Sequence, residues 1–72
     1  MDPSEWVPVS GSSRVVAERY DGVAERIYVR FHDGVEWWYG ACTPQNWGEF
    51  TSQSRGKYIS EVLNHKPNGR AV

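Results

Sequence analysis

The sequence predicts an α+β domain: a small antiparallel β-meander of three strands, to which an N-terminal arm can add a fourth, followed by two short C-terminal helices. Three observations predict it. Apolar residues alternate on both sides of His32-Asp33-Gly34, as they do in a hairpin. A β-branched segment with its own Asp-Gly turn precedes that hairpin. After Thr43 the apolar spacing lengthens from two to three or four residues, the helical period.

In the hairpin, Ile27, Val29 and Phe31 alternate with Tyr28, Arg30 and His32, and then Val35, Trp37 and Tyr39 alternate with Glu36 and Trp38. A two-residue Asp-Gly turn would set Glu36 opposite Phe31 and so place charge in the apolar face. A three-residue loop with Gly34 in the left-handed conformation pairs Phe31 with Val35, Val29 with Trp37 and Ile27 with Tyr39 instead, and is preferred. It puts Trp37 on the core side. On the other face it sets Arg30 against Glu36 and Tyr28 against Trp38, each a favourable cross-strand pair.

The preceding strand covers Arg14 to Tyr20 and turns back at Asp21-Gly22. Its buried face stays open: Val15 and Ala17 compete with Val16 and Tyr20, and Glu18 in the second set argues for exposure of at least one end. Trp6 to Ser13, with Pro8 and a Ser-Gly-Ser-Ser stretch, reads as an extended arm and a loop. In the C-terminal half, Thr43 is a candidate N-cap with Pro44 at the first helical position, and Trp47 and Phe50 share one face. A second helix begins near Ser54, carries Ile59, Val62 and Leu63 as its apolar stripe, and is stopped by Asn64 and Pro67. The chain thus divides into an arm and loop (1–13), a single domain (14–66) and a frayed tail (67–72).

A 72-residue domain buries only about 60% of the surface its unfolded chain exposes, so its core must be dense. Four Trp, four Tyr and two Phe supply that density, since each aromatic side chain buries roughly 150–250 Å². Lone Cys42 can form no intrachain disulfide, and neither a CxxC motif nor a Cys/His cluster is present, so no cofactor or metal is expected. With no apolar run of membrane-span length and no basic, apolar N-terminus, the chain reads as cytoplasmic. The net charge of −1 gives no global reason to expect nucleic acid. The distribution is uneven: residues 1–42 carry −3 and residues 43–72 carry +2, which places any anion-seeking face in the C-terminal part.

An enzyme is not expected. His32 falls at a hairpin turn and His65 near a helix end, with no local acid or nucleophile to complete a triad. Cys42 reads as a small buried filler, and Ser10, Ser12 and Ser13 as turn and capping groups. The carboxylates are dispersed, and Ser54-x-Gly56-Lys57 lacks the rest of a phosphate loop.

The ordered motifs resemble one family. Ser12-Ser13, Val15 and Tyr20-Asp21, then Ile27-x-Val29-x-Phe31, Gly34 and Trp37-x-Tyr39, then Ser54-x-Gly56-x-Tyr58-Ile59 with Leu63, are similar to the KTSC domain over about Val9 to Leu63. That family is named for its occurrence at the C-terminus of some bacterial lysyl-tRNA synthetases. The resemblance implies a meander followed by helices and implies no catalytic role. Members also occur as short bacterial and bacteriophage proteins. The synthetase fusion hints at RNA, although Glu61 and Val62 stand where the family is commonly basic, and Glu18 stands where it is apolar.

Two candidate sites remain. Tyr28, Arg30 and Trp38 on the outer hairpin face have the composition of an interface hot spot or a base-stacking platform, unless the arm with Trp6 and Val7 covers them. Arg55, Lys57 and Tyr58 at the second helix start suit an anion or RNA, unless they are solvated charges beside a core tyrosine. The leading expectation is a non-enzymatic accessory or regulatory module that binds another protein, such as a bacteriophage protein acting on a host protein. RNA binding through the helix start is the alternative.

Overall fold

A computed structural model describes residues 5–71; residues 1–4 of the arm, with Asp2 among them, and Val72 at the end of the tail lie outside that range. Five strands form one antiparallel sheet in chain order: β1 (Val7–Pro8), β2 (Val15–Asp21), β3 (Arg26–Phe31), β4 (Glu36–Tyr39) and β5 (Asn68–Arg70). Helices α1 (Pro44–Thr51) and α2 (Arg55–Glu61) and a 3₁₀ turn (Leu63–His65) separate β4 from β5. They cover one face of the sheet.

The hairpin has the register expected of a three-residue loop. Ile27 faces Tyr39, Val29 faces Trp37, Tyr28 faces Trp38 and Arg30 faces Glu36. Gly34 has φ +88°, where a side chain is strained, and Phe31 N–H donates to Val35 O.

In β2 the two competing apolar sets are both partly right, because the strand changes phase. Val15 faces Phe31 but Ala17 already faces Arg30, so a bulge at Val16 absorbs one residue. Val15 points into the core before the bulge, and Glu18 and Tyr20, opposite Val29 and Ile27, point there after it. The expected exposure at Glu18 is therefore overturned: the residue is only 4% exposed.

The arm supplies the fourth strand that the sequence left open, and the tail adds a fifth. The arm contributes β1, pairing Val7 with Glu18 and Pro8 with Ala17. The tail, expected to fray, contributes β5 against β4 through Trp37–Arg70, Trp38–Gly69 and Tyr39–Asn68. The physical reason lies in Gly69, where a Cβ would come within 3.1 Å of Trp38 Nε1. The missing side chain lets the indole lie against the β5 backbone, which turns a turn-like sequence into an edge strand.

Thr43 and Asn46 form a reciprocal capping box on α1: Asn46 N–H donates to Thr43 Oγ1 and Thr43 N–H to Asn46 Oδ1 (3.2 and 2.9 Å). Ser54 caps α2 by accepting from Lys57 N–H. This helix ends earlier than the stripe suggested, and Leu63 is delivered to the core by the 3₁₀ turn. Val15, Ile27, Val29 and Tyr39 of the sheet meet Phe50, Tyr58, Ile59 and Leu63 from the helical layer, with Cys42 filling the corner before α1. Trp37 packs only at the edge of this core. It is half-buried, and its Nε1–H donates to Asn68 Oδ1 at 3.0 Å. No helix among the described residues is long and apolar enough to cross a membrane.

Candidate binding surface

The two sequence-derived sites fare differently. At the start of α2 the three residues do not assemble. Arg55 donates through Nε and Nη2 to both carboxylate oxygens of Glu18, each at 2.9 Å, in a largely buried ion pair. The Glu18 hydrogen bond is the main cause that pushes the Arg55 guanidinium up from its ordinary value. Tyr58 is a core residue whose hydroxyl donates to Glu49 Oε1 at 2.8 Å and accepts from Asn46 Nδ2. Burial is the largest cause that raises its pKa; the Asn46 hydrogen bond opposes the rise and Glu49 adds to it. Of the three, Lys57 alone is exposed. Charge counting placed the anion-seeking face here because it could not see that Glu18, 37 residues away, consumes Arg55.

A small polar cavity of about 210 Å³ does lie nearby, between the β1–β2 loop and the start of α2. It brings together Ser12-Ser13 and Ser54-x-Gly56, the two ends of the sequence resemblance. Their groups already have structural duties: Ser12 Oγ accepts from Arg14 and Val15 N–H, and Ser54 caps α2. Gly56 makes room for Arg14, whose Cδ would sit 3.1 Å from an added Cβ.

The residues with intrinsically reactive side chains occupy ordinary structural positions. Buried Cys42 donates its S–H towards Tyr39 O and Gly40 O, and burial is the largest of the causes that push its thiol up. His32 is exposed, with its Nε2 3.0 Å from Ser12 O, and His65 is exposed on the 3₁₀ turn. Among the described residues no three His, Cys, Asp or Glu side chains are grouped as a metal site would need.

The outer face of the sheet is different: among the described residues no helix covers it. Tyr28, Arg30 and Trp38 do come together there, and the arm covers them only in part. Trp6 folds back so that Arg30 Cζ lies 4.5 Å and Arg19 Cζ 5.2 Å from its ring centre, while Val7 stays exposed. Arg19 lies 3.9 Å from the centre of the Tyr28 ring, and Arg26 lies 4.4 Å from that of Trp38. The face is thus a layer of three guanidinium groups interleaved with three aromatic rings, all half-buried. Each contact is worth roughly 0.5–1 kcal/mol at such partly exposed sites and fixes a long side chain that would otherwise be mobile.

Sequence reasoning found Tyr28, Arg30 and Trp38 but missed Trp6, Arg19 and Arg26. A signal existed for Arg26, which is two residues from Tyr28 and shares its face by simple alternation. None existed for Arg19, whose face depends on the bulge at Val16, or for Trp6, whose position depends on β1 pairing.

The charges on this face are not equally satisfied. Arg30 is paired with Glu36, with Nη2 and Nε both 2.8 Å from Glu36 Oε2. Asp21 stands opposite Arg26 in the register, yet its carboxylate accepts from Val23 and Ala24 N–H in the β2–β3 turn at 3.0 and 3.1 Å. Among the described residues, Arg19 and Arg26 make no ion pair.

The chain is similar to the crystal structure of a KTSC domain protein from Yersinia pestis, with a TM-score of 0.85 and 21% sequence identity over 94% of this chain and 97% of that one. It has the KTSC-domain fold, as the sequence resemblance implied. No family model and no curated protein matches the chain.

Proposed function

We propose that this KTSC-fold chain is a non-enzymatic accessory or regulatory module that binds another protein through the outer face of its sheet. The observation that carries the reading is the half-buried layer of Trp6, Tyr28 and Trp38 interleaved with Arg19, Arg26 and Arg30, opposite the helix-covered face. Trp, Tyr and Arg are the residue types that dominate interface energetics, and here their rotamers are already held by mutual stacking. Binding then costs little of the side-chain entropy that an interface normally loses. The near-neutral net charge supports a protein partner over a phosphate backbone, as does the engagement of Arg55 by Glu18.

The reading is tested by affinity capture from bacterial lysate with the wild type, Trp38→Ala and Tyr28→Ala as baits, identifying bound protein and RNA. Circular dichroism establishes that each bait is folded. The expected result is a protein that survives nuclease treatment and is lost from the Trp38→Ala bait, through a weakening of about 2 kcal/mol or more. Capture of RNA, or of protein only through RNA, would favour the nucleic-acid alternative.

A further inference from the structure

We infer that the partner presents an acidic polypeptide segment whose carboxylates seat on Arg19 and Arg26; this rests on the protein-binding reading above. The two guanidinium groups are the charges on the outer face that the described residues leave without a carboxylate: Arg30 is taken by Glu36, and Asp21 is turned away into its own turn. Both are also preorganised. Arg19 Cζ is held 3.9 Å over the Tyr28 ring and Arg26 Cζ 4.4 Å over that of Trp38, and neither guanidinium spends its N–H groups on a carboxylate among the described residues. The rigid N–H fork of each matches the two oxygens of a carboxylate. The aromatic rings beneath exclude water from one side of each guanidinium, which strengthens a charge-assisted hydrogen bond made on its edge.

The same stacking argues against RNA on this face. A base needs an open ring face, but Arg19 lies over Tyr28, Arg26 lies over Trp38, and the Gly69 backbone also lies close against the Trp38 indole. A nucleic acid would have to displace the guanidinium groups in order to stack, whereas a carboxylate uses the arrangement as it stands. Glu36 and Asp21, flanking the two arginines, would oppose a continuous phosphate backbone but leave room for isolated carboxylates.

The test is an NMR titration of the isotopically labelled full chain with acetylated, amidated hexaglutamate and, separately, with octauridylate. The expected result is that hexaglutamate shifts the Arg19 and Arg26 Nε–H and the Trp38 Nε1–H resonances. The Arg19→Gln/Arg26→Gln variant, folded as judged by its amide spectrum, should bind about tenfold more weakly or worse. Arg19→Lys/Arg26→Lys, which keeps the charge but not the fork, should recover only part of the loss. Shifts spread over other surfaces, absence of shifts, full recovery by lysine, or octauridylate moving these resonances in place of hexaglutamate would each overturn the inference. Failure here is separable from failure of the binding reading. A captured protein that is lost from Trp38→Ala but held equally by Arg19→Gln/Arg26→Gln would keep the outer face as an interface and remove the acidic partner.

Discussion

Replacing Arg55 with Met is expected to destabilise the domain by about 3 kcal/mol, because it leaves the Glu18 carboxylate uncompensated beside the core. The loss falls at the lower end of the usual range for a broken buried pair, because the Arg55 side chain is 21% exposed and some water can reach the gap it leaves. Glu18→Gln should cost less, because the unpaired Arg55 can swing its long side chain towards solvent. The double substitution Glu18→Leu/Arg55→Met should recover most of the loss or exceed wild-type stability, as well-packed apolar pairs often do in place of buried ion pairs. Urea denaturation of the four proteins measures this order. Equal losses in the two single variants, with no recovery in the double, would mean that the ion pair is not buried in solution. The pair also explains how an acidic residue stands where the resemblance expects an apolar one: position 18 faces the core, and Arg55 neutralises what it brings there.

Phe50→Ala is expected to have the largest effect, about 3–5 kcal/mol. The ring is fully buried, with the Trp47 and Tyr58 ring centres at 6.0 and 5.9 Å, so truncation leaves a cavity at the junction of both helices and the sheet. A domain of this length has a total stability of roughly 4–11 kcal/mol, and its melting temperature should fall by about 12 °C or more. Trp47→Ala should cost less. Trp47 is half-buried and stacks on Tyr20 at 5.5 Å near the rim. Trp37→Ala should also cost less, because Trp37, although on the core side by alternation, is half-buried at the rim with its Nε1–H on Asn68. Thermal melts that rank Trp37 above Phe50 would place the centre of the core elsewhere.

What could be read in the sequence was whatever depended on local parity. The hairpin register followed from keeping Glu36 out of the apolar face, and the α1 cap from Thr43-Pro44. The bulge at Val16 could be felt only as a conflict between two apolar sets, since sequence shows the clash of phases but not the residue that absorbs it. Strand β5 was illegible because Pro67, Asn68 and Gly69 have turn composition, and their pairing is fixed by an indole about thirty residues earlier. The same distinction governs the site. Tyr28, Arg30 and Trp38 follow from the hairpin, whereas Arg19 and Trp6 join them only through long-range strand pairing. Arg55 looked free because net charge counts residues and does not see their partners.

The outer face as a binding surface is tested most directly by amide hydrogen exchange on the full chain, with and without the protein captured by the wild-type bait. Added protection is expected to centre on the middle strands around Arg19, Tyr28 and Trp38, with Trp6 and its neighbours in β1 slowed as well. Protection confined to the cavity between Ser12 and Ser54, or to the start of α2 at Lys57, with the outer face unchanged, would contradict that expectation.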